Sequence, residues 1–252
     1  MKQNTQRTSE WLSSSIDKNY HERQFASPYR STIHFVNWLE ELGYLNKYDQ
    51  LRILDLGCGQ GANLYYMASR FTNIEFTGID INKDLVECGN NFLKQNNISN
   101  CHLETGDWYA MGPHLINAFD GCISLQTLSW LPDYAEPLKA LSAIQSRWIC
   151  LSSLFYDGPL SCAIEVSDYD ENLEVSMKSF YNIYSLPVVQ SFLNSLGYSN
   201  VASIPFHIDI DLEKPISKGR GTYTENIADG TRLQISGPLL MPWHFVAAEK
   251  YV

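Results

Sequence analysis

The sequence is short of basic residues and has no long basic stretch. Its 252 residues hold 18 Lys and Arg against 28 Asp and Glu, which gives a formal net charge of −10. A protein that binds nucleic acid needs Lys and Arg to displace counterions from phosphates. The charge therefore disfavours DNA, RNA or an anionic membrane surface as the main partner, and it leaves a small-molecule partner open.

Long apolar runs and metal-type cysteine spacings are also missing. No segment offers the ~18 uninterrupted apolar residues of a membrane span, and residues 1–10 lack the apolar stretch of a secretion signal. None of the six cysteines lies three residues from another, so the CxxC spacing of metal and redox sites is absent. We expect a soluble cytoplasmic protein with reduced, mostly buried cysteines and no metal site.

From residue 51 onward, short apolar runs alternate with segments of helical periodicity. The runs predict buried strands at 51–56, 74–79, 101–103, 119–125 and 148–154. The segments between them predict helices at 62–70, after the cap Asn82 and from Asp133 onward. This alternation predicts an α/β domain with a doubly wound, mostly parallel sheet that carries helices on both faces.

The flanking regions differ from this central part, and we predict three parts in all: 1–48, 49–155 and 156–252. In the first, Phe35, Trp38, Leu39 and Leu42 recur at helical spacing and predict a helical cap. The third is expected to hold a β-rich insertion, a helix capped by Ser185, and antiparallel strands that complete the sheet and cover a substrate pocket. Alternation predicts a half-exposed strand over 206–212, and Asp229-Gly230 predicts a hairpin within 221–237.

The strongest local signal is the glycine-rich stretch Ile53–Gly61, which reads ILDLGCGQG at a strand end. Gly57 and Gly59 let the backbone turn sharply and approach a ligand closely. The helix that follows points its N-terminal N–H groups at the same place. Gly57, Gly59 and Ala62 also fit the dinucleotide fingerprint GxGxx(G/A), so the glycines alone leave two cofactor classes open.

Three acidic residues at strand ends help to separate these classes. Asp55 lies two residues before Gly57, where a carboxylate would repel a pyrophosphate but suits a ligand with an ammonium group and a sulfonium. Asp80 ends the second predicted strand and offers two acceptor oxygens for the two hydroxyls of a ribose, which both cofactor classes contain. Asp107 follows the third strand and adds a further acidic contact.

With these motifs, residues 50–155 resemble the class I, Rossmann-like S-adenosylmethionine-dependent methyltransferases. The resemblance implies S-adenosylmethionine as the cofactor, with Asp80 accepting from the ribose, Asp107 accepting from the adenine amine and Trp108 packing on the ring. It also implies that the chain after the fourth strand contacts the methionine end and that Tyr29 or Arg30 holds the carboxylate. The full set of implied cofactor contacts is Tyr29, Arg30, Asp55, Gly57, Gly59, Gly61, Asn63, Asp80, Ile81, Asp107, Trp108, Leu125 and Gln126.

The acceptor is less well marked. No Asn-Pro-Pro-Tyr motif follows the fourth strand, which argues against the amide and nucleobase amine methyltransferases that carry it. Aromatic residues are frequent in 156–184 and recur in 205–240, which suits a closed pocket for a small O or N acceptor. Residues 236–243 are similar to the C-terminal end of methyltransferases from sugar or surface-polysaccharide pathways, which makes a sugar-like acceptor one candidate.

No catalytic residue stands out. The candidate general bases lie outside the central part, at His21, Glu165, Asp168, His207 and His244. A nicotinamide-dependent oxidoreductase, a non-catalytic cofactor-binding protein and a protein or RNA methyltransferase stay open as alternatives, as does the oligomeric state.

Overall fold

A computed structural model describes residues 24–216 and 221–250 of the chain. The helices in this part are α1 (Arg30–Glu41), α2 (Ala62–Arg70), α3 (Lys83–Gln95), α4 (Ala135–Ala143) and α5 (Leu186–Ser195). The strands, in chain order, are β1 (Arg52–Leu56), β2 (Glu75–Asp80), β3 (Cys101–Thr105), β4 (Gly121–Leu125), β5 (Trp148–Tyr156), β6 (Glu165–Tyr169), β7 (Val175–Phe180), β8 (Tyr184–Ser185), β9 (Tyr198–Pro205), β10 (Thr222–Asn226), β11 (Arg232–Ser236), β12 (Leu239–Leu240) and β13 (Trp243–Lys250).

A mostly parallel sheet forms the centre of the molecule, as the alternating pattern predicts. Its strand order is β3-β2-β1-β4-β5-β13-β9, and β8 pairs with the end of β5. Strands β1 to β5 run parallel, whereas β13 lies antiparallel between β5 and β9. The carboxyl ends of β1, β2, β3 and β4 therefore meet at one edge of the sheet, where ligands bind in open α/β sheets.

Two apolar layers cover the faces of this sheet. Along β1, Ile53 packs with α1, α2 and α3, whereas Leu54 packs with α4 and α5. This alternation follows from the two-residue period of a strand, which sends successive side chains to opposite faces. We call the face covered by α1, α2 and α3 the first face. There, Phe35 of α1 meets Phe245 of β13 with ring centroids 5.2 Å apart, so α1 is fixed over the middle of the sheet.

Local capping signals in the sequence match the observed helix ends. The side chain of Asn82 accepts hydrogen bonds from the N–H groups of Asp84 and Leu85 at the start of α3. Ser185 accepts from the N–H of Val188 at the start of α5. The helix predicted to begin at Asp133 begins instead at Ala135, because Asp133 accepts from the N–H of Glu136 in the turn ahead of it.

The strand predicted over 206–212 is wrong. The edge strand is β9, which ends at Pro205, and residues 206–212 continue without a ladder of strand hydrogen bonds. Their alternation has another cause, since Phe206 and Ile208 are buried under the first face while Asp209 points outward. We call residues 206–212 the C-terminal strap.

Two hairpins stand apart from the central sheet. Strands β6 and β7 pair within the predicted insertion, and β10 and β11 pair around Asp229-Gly230, as predicted. Gly230 has a φ of +85°, and Asp229 accepts from the N–H of Thr231 at 2.8 Å. Within the described ranges, no helix is both long and apolar enough to cross a membrane.

Candidate functional site

The glycine-rich stretch forms a tight loop between β1 and α2. Gly57, Gly59 and Gly61 have φ values of +75°, +57° and +75°, a left-handed conformation that side chains with a Cβ rarely adopt. The N–H groups of Gly57 and Cys58 donate to the carbonyl of Ile79 at the end of β2, at 2.8 and 3.2 Å. These two hydrogen bonds therefore fix the loop against the end of β2 without the help of a ligand.

Gly57 also lies against the end of β4. A Cβ at this position would come within 2.6 Å of both Cγ2 and Oγ1 of Thr127. Thr127 Oγ1 lies 3.2 Å from the carbonyl of Leu125 and 3.3 Å from that of Gly57, and can donate to either. The structure thus brings the predicted contacts Gly57 and Leu125 together through Thr127, which ends the segment 124–127 after the fourth strand.

Asp80 connects the end of β2 to the glycine loop. One of its carboxylate oxygens accepts from the N–H of Gly59 at 2.8 Å, and the other accepts from the N–H of Asn82 at 2.9 Å. Each carboxylate oxygen has further acceptor capacity, so these bonds leave room for ligand hydroxyls. Ile81 follows directly and is 45% exposed, which leaves an apolar surface beside the carboxylate.

Asp55 is the most unusual polar group of the site. Its side chain is 1% exposed, and neither carboxylate oxygen has a hydrogen-bond partner within residues 24–216 and 221–250. Burial, and then the negative charge of Asp80, raise the pKa of Asp55 well above its usual range. A buried carboxylate without a partner is costly, and a cationic ligand or a bridging water would compensate it.

Asp107 and Trp108 lie next to this region but differ in their surroundings. The N–H of Gly106 donates to the backbone carbonyl of Asp80 at 2.9 Å, which places the segment beside the end of β2. Asp107 caps a short 3₁₀ turn and accepts from the N–H of Tyr109. The indole of Trp108 is buried on the other side, where its N–H donates to the carbonyl of Pro137 at 2.8 Å.

The first turn of α1 contacts the site through two short side chains. Gln126 Nε2 donates to Ser31 Oγ at 2.9 Å, and Thr32 Oγ1 donates to Asn63 Oδ1 at 2.7 Å. Gln126 holds a φ of +59°, a strained conformation for a residue with a Cβ. The predicted contacts Asn63 and Gln126 are therefore tied to α1, a link that was not evident from the sequence.

Arg30 and Tyr29 sit at the same helix end. Tyr29 is the residue before the first turn and has extended backbone. The guanidinium of Arg30 bonds both carboxylate oxygens of Asp209, with Nε 2.7 Å from Oδ1. These hydrogen bonds hold the pKa of Asp209 far below its usual range. The charge predicted to hold a cofactor carboxylate is thus engaged by a carboxylate of the chain itself.

Three aromatic rings pack on one another beyond the end of β4, where Tyr181 and Trp243 are buried and Trp130 is partly buried. The ring of Trp130 lies 4.0 Å from that of Tyr181 and 6.4 Å from that of Trp243, both in edge-to-face arrangements. Asn182 holds this group in place, since its side chain donates to the carbonyl of Leu131 at 2.8 Å and accepts from the N–H of Ile164 at 2.9 Å. We call Trp130, Tyr181 and Trp243 the aromatic wall.

The candidate bases are scattered. His207 is exposed, and Glu165 pairs with Lys178 at 2.6 Å. His244 is buried on the α4–α5 face, where Nδ1 lies 3.3 Å from the carbonyl of Pro242 and Nε2 lies 3.2 Å from Asp157 without the geometry of a hydrogen bond. Asp168 lies on β6, and His21 falls outside the described residues. The contacts of the described residues therefore single out no base.

This arrangement defines a Rossmann-like cofactor-binding protein, with a glycine loop and three carboxylates at adjacent strand ends. A family model described as "Methyltransferase domain" matches residues 47–182, which is more than half of the chain. The chain therefore belongs to this methyltransferase family, and it is an S-adenosylmethionine-dependent methyltransferase of class I. A comparison with curated proteins found no match.

Solved structures of low sequence identity share the fold. Magnesium protoporphyrin IX methyltransferase from Synechocystis PCC 6803, solved with bound SAH, is 14% identical with a TM-score of 0.56, and the match covers 94% of this chain and 88% of that one. The YcgJ protein from Bacillus subtilis is 12% identical with a TM-score of 0.55, over 87% and 99%. A putative sarcosine dimethylglycine methyltransferase from Galdieria sulphuraria is 14% identical with a TM-score of 0.51, over 70% of this chain and only 64% of that one.

Proposed function

We propose that this protein transfers the methyl group of S-adenosylmethionine to an oxygen or nitrogen atom of a small molecule. The observation that carries the proposal is the buried, unpaired carboxylate of Asp55 beside the glycine loop. S-adenosylmethionine brings an ammonium group that would compensate this carboxylate, directly or through one water. The glycine loop fits as well, because a Cβ at Gly57 would fill space that is needed for close packing.

The strand ends supply separate contacts for the parts of the cofactor. Asp80 would accept from the ribose hydroxyls with the acceptor capacity that its backbone bonds leave over. Asp107 would accept from the adenine amine, and the exposed side chain of Ile81 would pack on the adenine ring. The burial of Trp108 among core residues leaves this packing mainly to Ile81. Leu125 and Gln126 would lie at the methionine end.

Bound S-adenosylmethionine supplies a methyl group that is already activated on a sulfonium. The remaining task of the chain is to orient the acceptor and to exclude water, and orientation alone can be worth ~7–11 kcal/mol. The aromatic wall is suited to this task because large, rigid rings hold a small molecule without competing for the methyl group. A general base is needed only for an acceptor that must lose a proton.

The acceptor is proposed to be small because the wall is formed by rings packed on one another rather than by a charged surface. The Synechocystis and Galdieria proteins are also named for small molecules, magnesium protoporphyrin IX and sarcosine or dimethylglycine. A sugar-like acceptor, suggested by residues 236–243, stays a candidate because aromatic rings also stack on sugar faces.

The cofactor assignment can be tested by calorimetric titration with S-adenosylmethionine, S-adenosylhomocysteine and NADH. We expect both adenosyl ligands to bind and NADH not to bind. Tight NADH binding without binding of either adenosyl ligand would overturn the proposal. The acceptor class can be tested with labelled methyl donor and a panel of sugars, phenols, amines and carboxylic acids, followed by mass spectrometry. Turnover on RNA or protein alone would contradict a small-molecule acceptor.

A further inference from the structure

Three consecutive residues at the start of α1 hold three different segments of the chain. Arg30 bonds Asp209 of the C-terminal strap, Ser31 accepts from Gln126 after β4, and Thr32 donates to Asn63 in the first turn of α2. Two of these partners, Gln126 and Asn63, belong to the proposed cofactor site. The remaining partner, Asp209, does not belong to that site, and it lies 179 residues away from Arg30 along the chain.

The C-terminal strap is in turn connected to the aromatic wall. The N–H of Phe206 donates to the carbonyl of Trp243 at 2.8 Å. The ring of Phe206 stacks on that of Phe245 at 5.4 Å and meets the ring of His34 edge-on at 5.5 Å. His34 lies one turn after Arg30 and has its Nε2 3.6 Å from Asp209. The same face of α1 thus contacts the strap through a charge pair and through a ring.

We infer that Arg30 and Asp209 are positioning residues. Through their ion pair, binding of a ligand at the cofactor site determines the position of the strap beside the aromatic wall. A ligand that holds Gln126 and Asn63 in place also holds their hydrogen-bond partners in the first turn of α1. Because Arg30 lies in the same rigid turn, its position is fixed as well, and with it the position of Asp209. Arg30 then acts on the acceptor side and is not a ligand of the cofactor carboxylate. The inference rests on the proposed function, since it takes an adenosyl ligand as the effector.

The geometry makes this role separable from folding. Both side chains of the pair are 39% exposed, and a solvent-exposed ion pair contributes little to stability. Removal of one partner should therefore leave the fold intact and change only the coupling. A second ion pair serves as a matched control, because Asp211, also in the strap, bonds Arg232 of β11 at 2.8 Å and has no such contact with α1.

The test uses the full chain with S-adenosylhomocysteine as the probe. Four variants are compared with the wild type, namely Arg30→Gln, Asp209→Asn, the swap Arg30→Asp with Asp209→Arg, and the control Asp211→Asn. Calorimetry gives the Kd of the probe, and hydrogen–deuterium exchange gives the protection of peptides that cover residues 204–212, with and without the probe.

In the wild type and in Asp211→Asn, the probe should slow exchange in 204–212, by about fivefold or more if the coupling is of ordinary size. In Arg30→Gln and Asp209→Asn, the Kd should stay within about threefold of the wild-type value, because less than 1 kcal/mol of binding is at stake, while the added protection is lost. The charge swap should restore part of that protection, as expected for a pair and not for either residue alone.

Two results would overturn the inference. One is a Kd raised about tenfold or more in Arg30→Gln but not in Asp209→Asn, which would make Arg30 a direct ligand of the cofactor. The other is probe-induced protection of 204–212 that is absent from the wild type or unchanged in both single variants. Failure of the wild type to bind the probe at all is a different outcome, since it would overturn the proposed function itself.

Discussion

Asp80 accepts a hydrogen bond from the backbone N–H of Gly59 at 2.8 Å, so the carboxylate proposed to bind the ribose also holds the glycine loop. Its second oxygen accepts from Asn82, the residue that caps α3. The end of β2, the glycine loop and the start of α3 are therefore joined by one side chain. The two proposed roles of Asp80 and the single proposed role of Asp55 can be separated by experiment.

For Asp80→Asn, we expect the affinity for S-adenosylhomocysteine to fall by at least about tenfold, because an amide has one acceptor oxygen and its NH₂ would face a backbone donor. Methylthioadenosine, which has the ribose but lacks the amino acid part, should lose affinity by a similar factor. Titration calorimetry with both ligands checks this. An unchanged affinity for methylthioadenosine would contradict a ribose contact.

For Asp55→Asn, the two ligands should respond differently. Affinity for S-adenosylhomocysteine should fall, since the ammonium group loses its carboxylate, while affinity for methylthioadenosine should stay close to the wild-type value. The same calorimetric pair of titrations checks this, and Asp80→Asn serves as the contrasting variant. Equal losses for both ligands would remove the assignment of Asp55 to the ammonium group.

Asp55 also predicts a pH dependence. Its pKa is raised in the ligand-free fold, so the stability associated with its protonated form is fully present below the unfolded pKa of about 3.9 and is lost as pH rises through the folded pKa. An ammonium ligand favours the carboxylate and should therefore bind with release of a proton at pH values below that raised pKa. Calorimetry in buffers of different ionisation enthalpy measures the protons released. Asp55→Asn should release none from this site, and its unfolding free energy should lack the corresponding slope above pH ~4.

Gly57→Ala should be far more harmful than Gly43→Ala, although both glycines have a φ of +75°. At Gly43 nothing lies within 4 Å of an added Cβ, so the cost is that of the left-handed backbone, roughly 1–2 kcal/mol. At Gly57 the Cβ meets Thr127 at 2.6 Å, which adds overpacking of about 1–3 kcal/mol. Urea unfolding of both variants, of Thr127→Ala and of the double variant Gly57→Ala with Thr127→Ala measures the two contributions. The double variant should recover part of the loss, and full additivity would contradict the clash.

Asn182→Leu should destabilise the fold by about 2–4 kcal/mol, because it leaves the N–H of Ile164 without its acceptor and removes one of two donors to the carbonyl of Leu131. Asn73→Ala removes an exposed amide that donates to the carbonyl of Lys47, and it should cost less than about 1 kcal/mol. Urea unfolding monitored by fluorescence compares the two. Similar small effects would show that Asn182 does not hold the aromatic wall.

The sequence predicts the parts of this structure that depend on residues close to one another along the chain. The start of α2 and the cap of α3 follow from Gly61 and Asn82, whose conformational and hydrogen-bonding properties act within one turn. The edge strand β9 could not be predicted, because an edge strand is only half covered and shows neither alternation nor a continuous apolar run. Its neighbour 206–212 shows alternation without being a strand, and of its alternating apolar residues Phe206 and Ile208 are buried while Ile210 is 42% exposed.

The residues of the site also include some that the sequence predicts and some that it does not. The three acidic residues at strand ends could be found because parallel strands bring their carboxyl ends together whatever the detailed packing. The contact of Thr127 with Gly57 and the bond between Arg30 and Asp209 could not be found, because each depends on how distant segments pack. For Trp108, the sequence placed the residue next to Asp107 but could not decide which way the indole turns.

The position of β13 in the sheet has a consequence for synthesis on the ribosome. Strand β5 pairs on one side with β4, made shortly before, and on the other with β13, made only after residues 157–242. During that interval the open side of β5, an apolar and uncharged strand, has no permanent neighbour. An unpaired edge of this kind is prone to pair with other chains. We therefore expect ribosome-bound chains that stop before residue 243 to depend on chaperones, and longer ones to be released from that dependence.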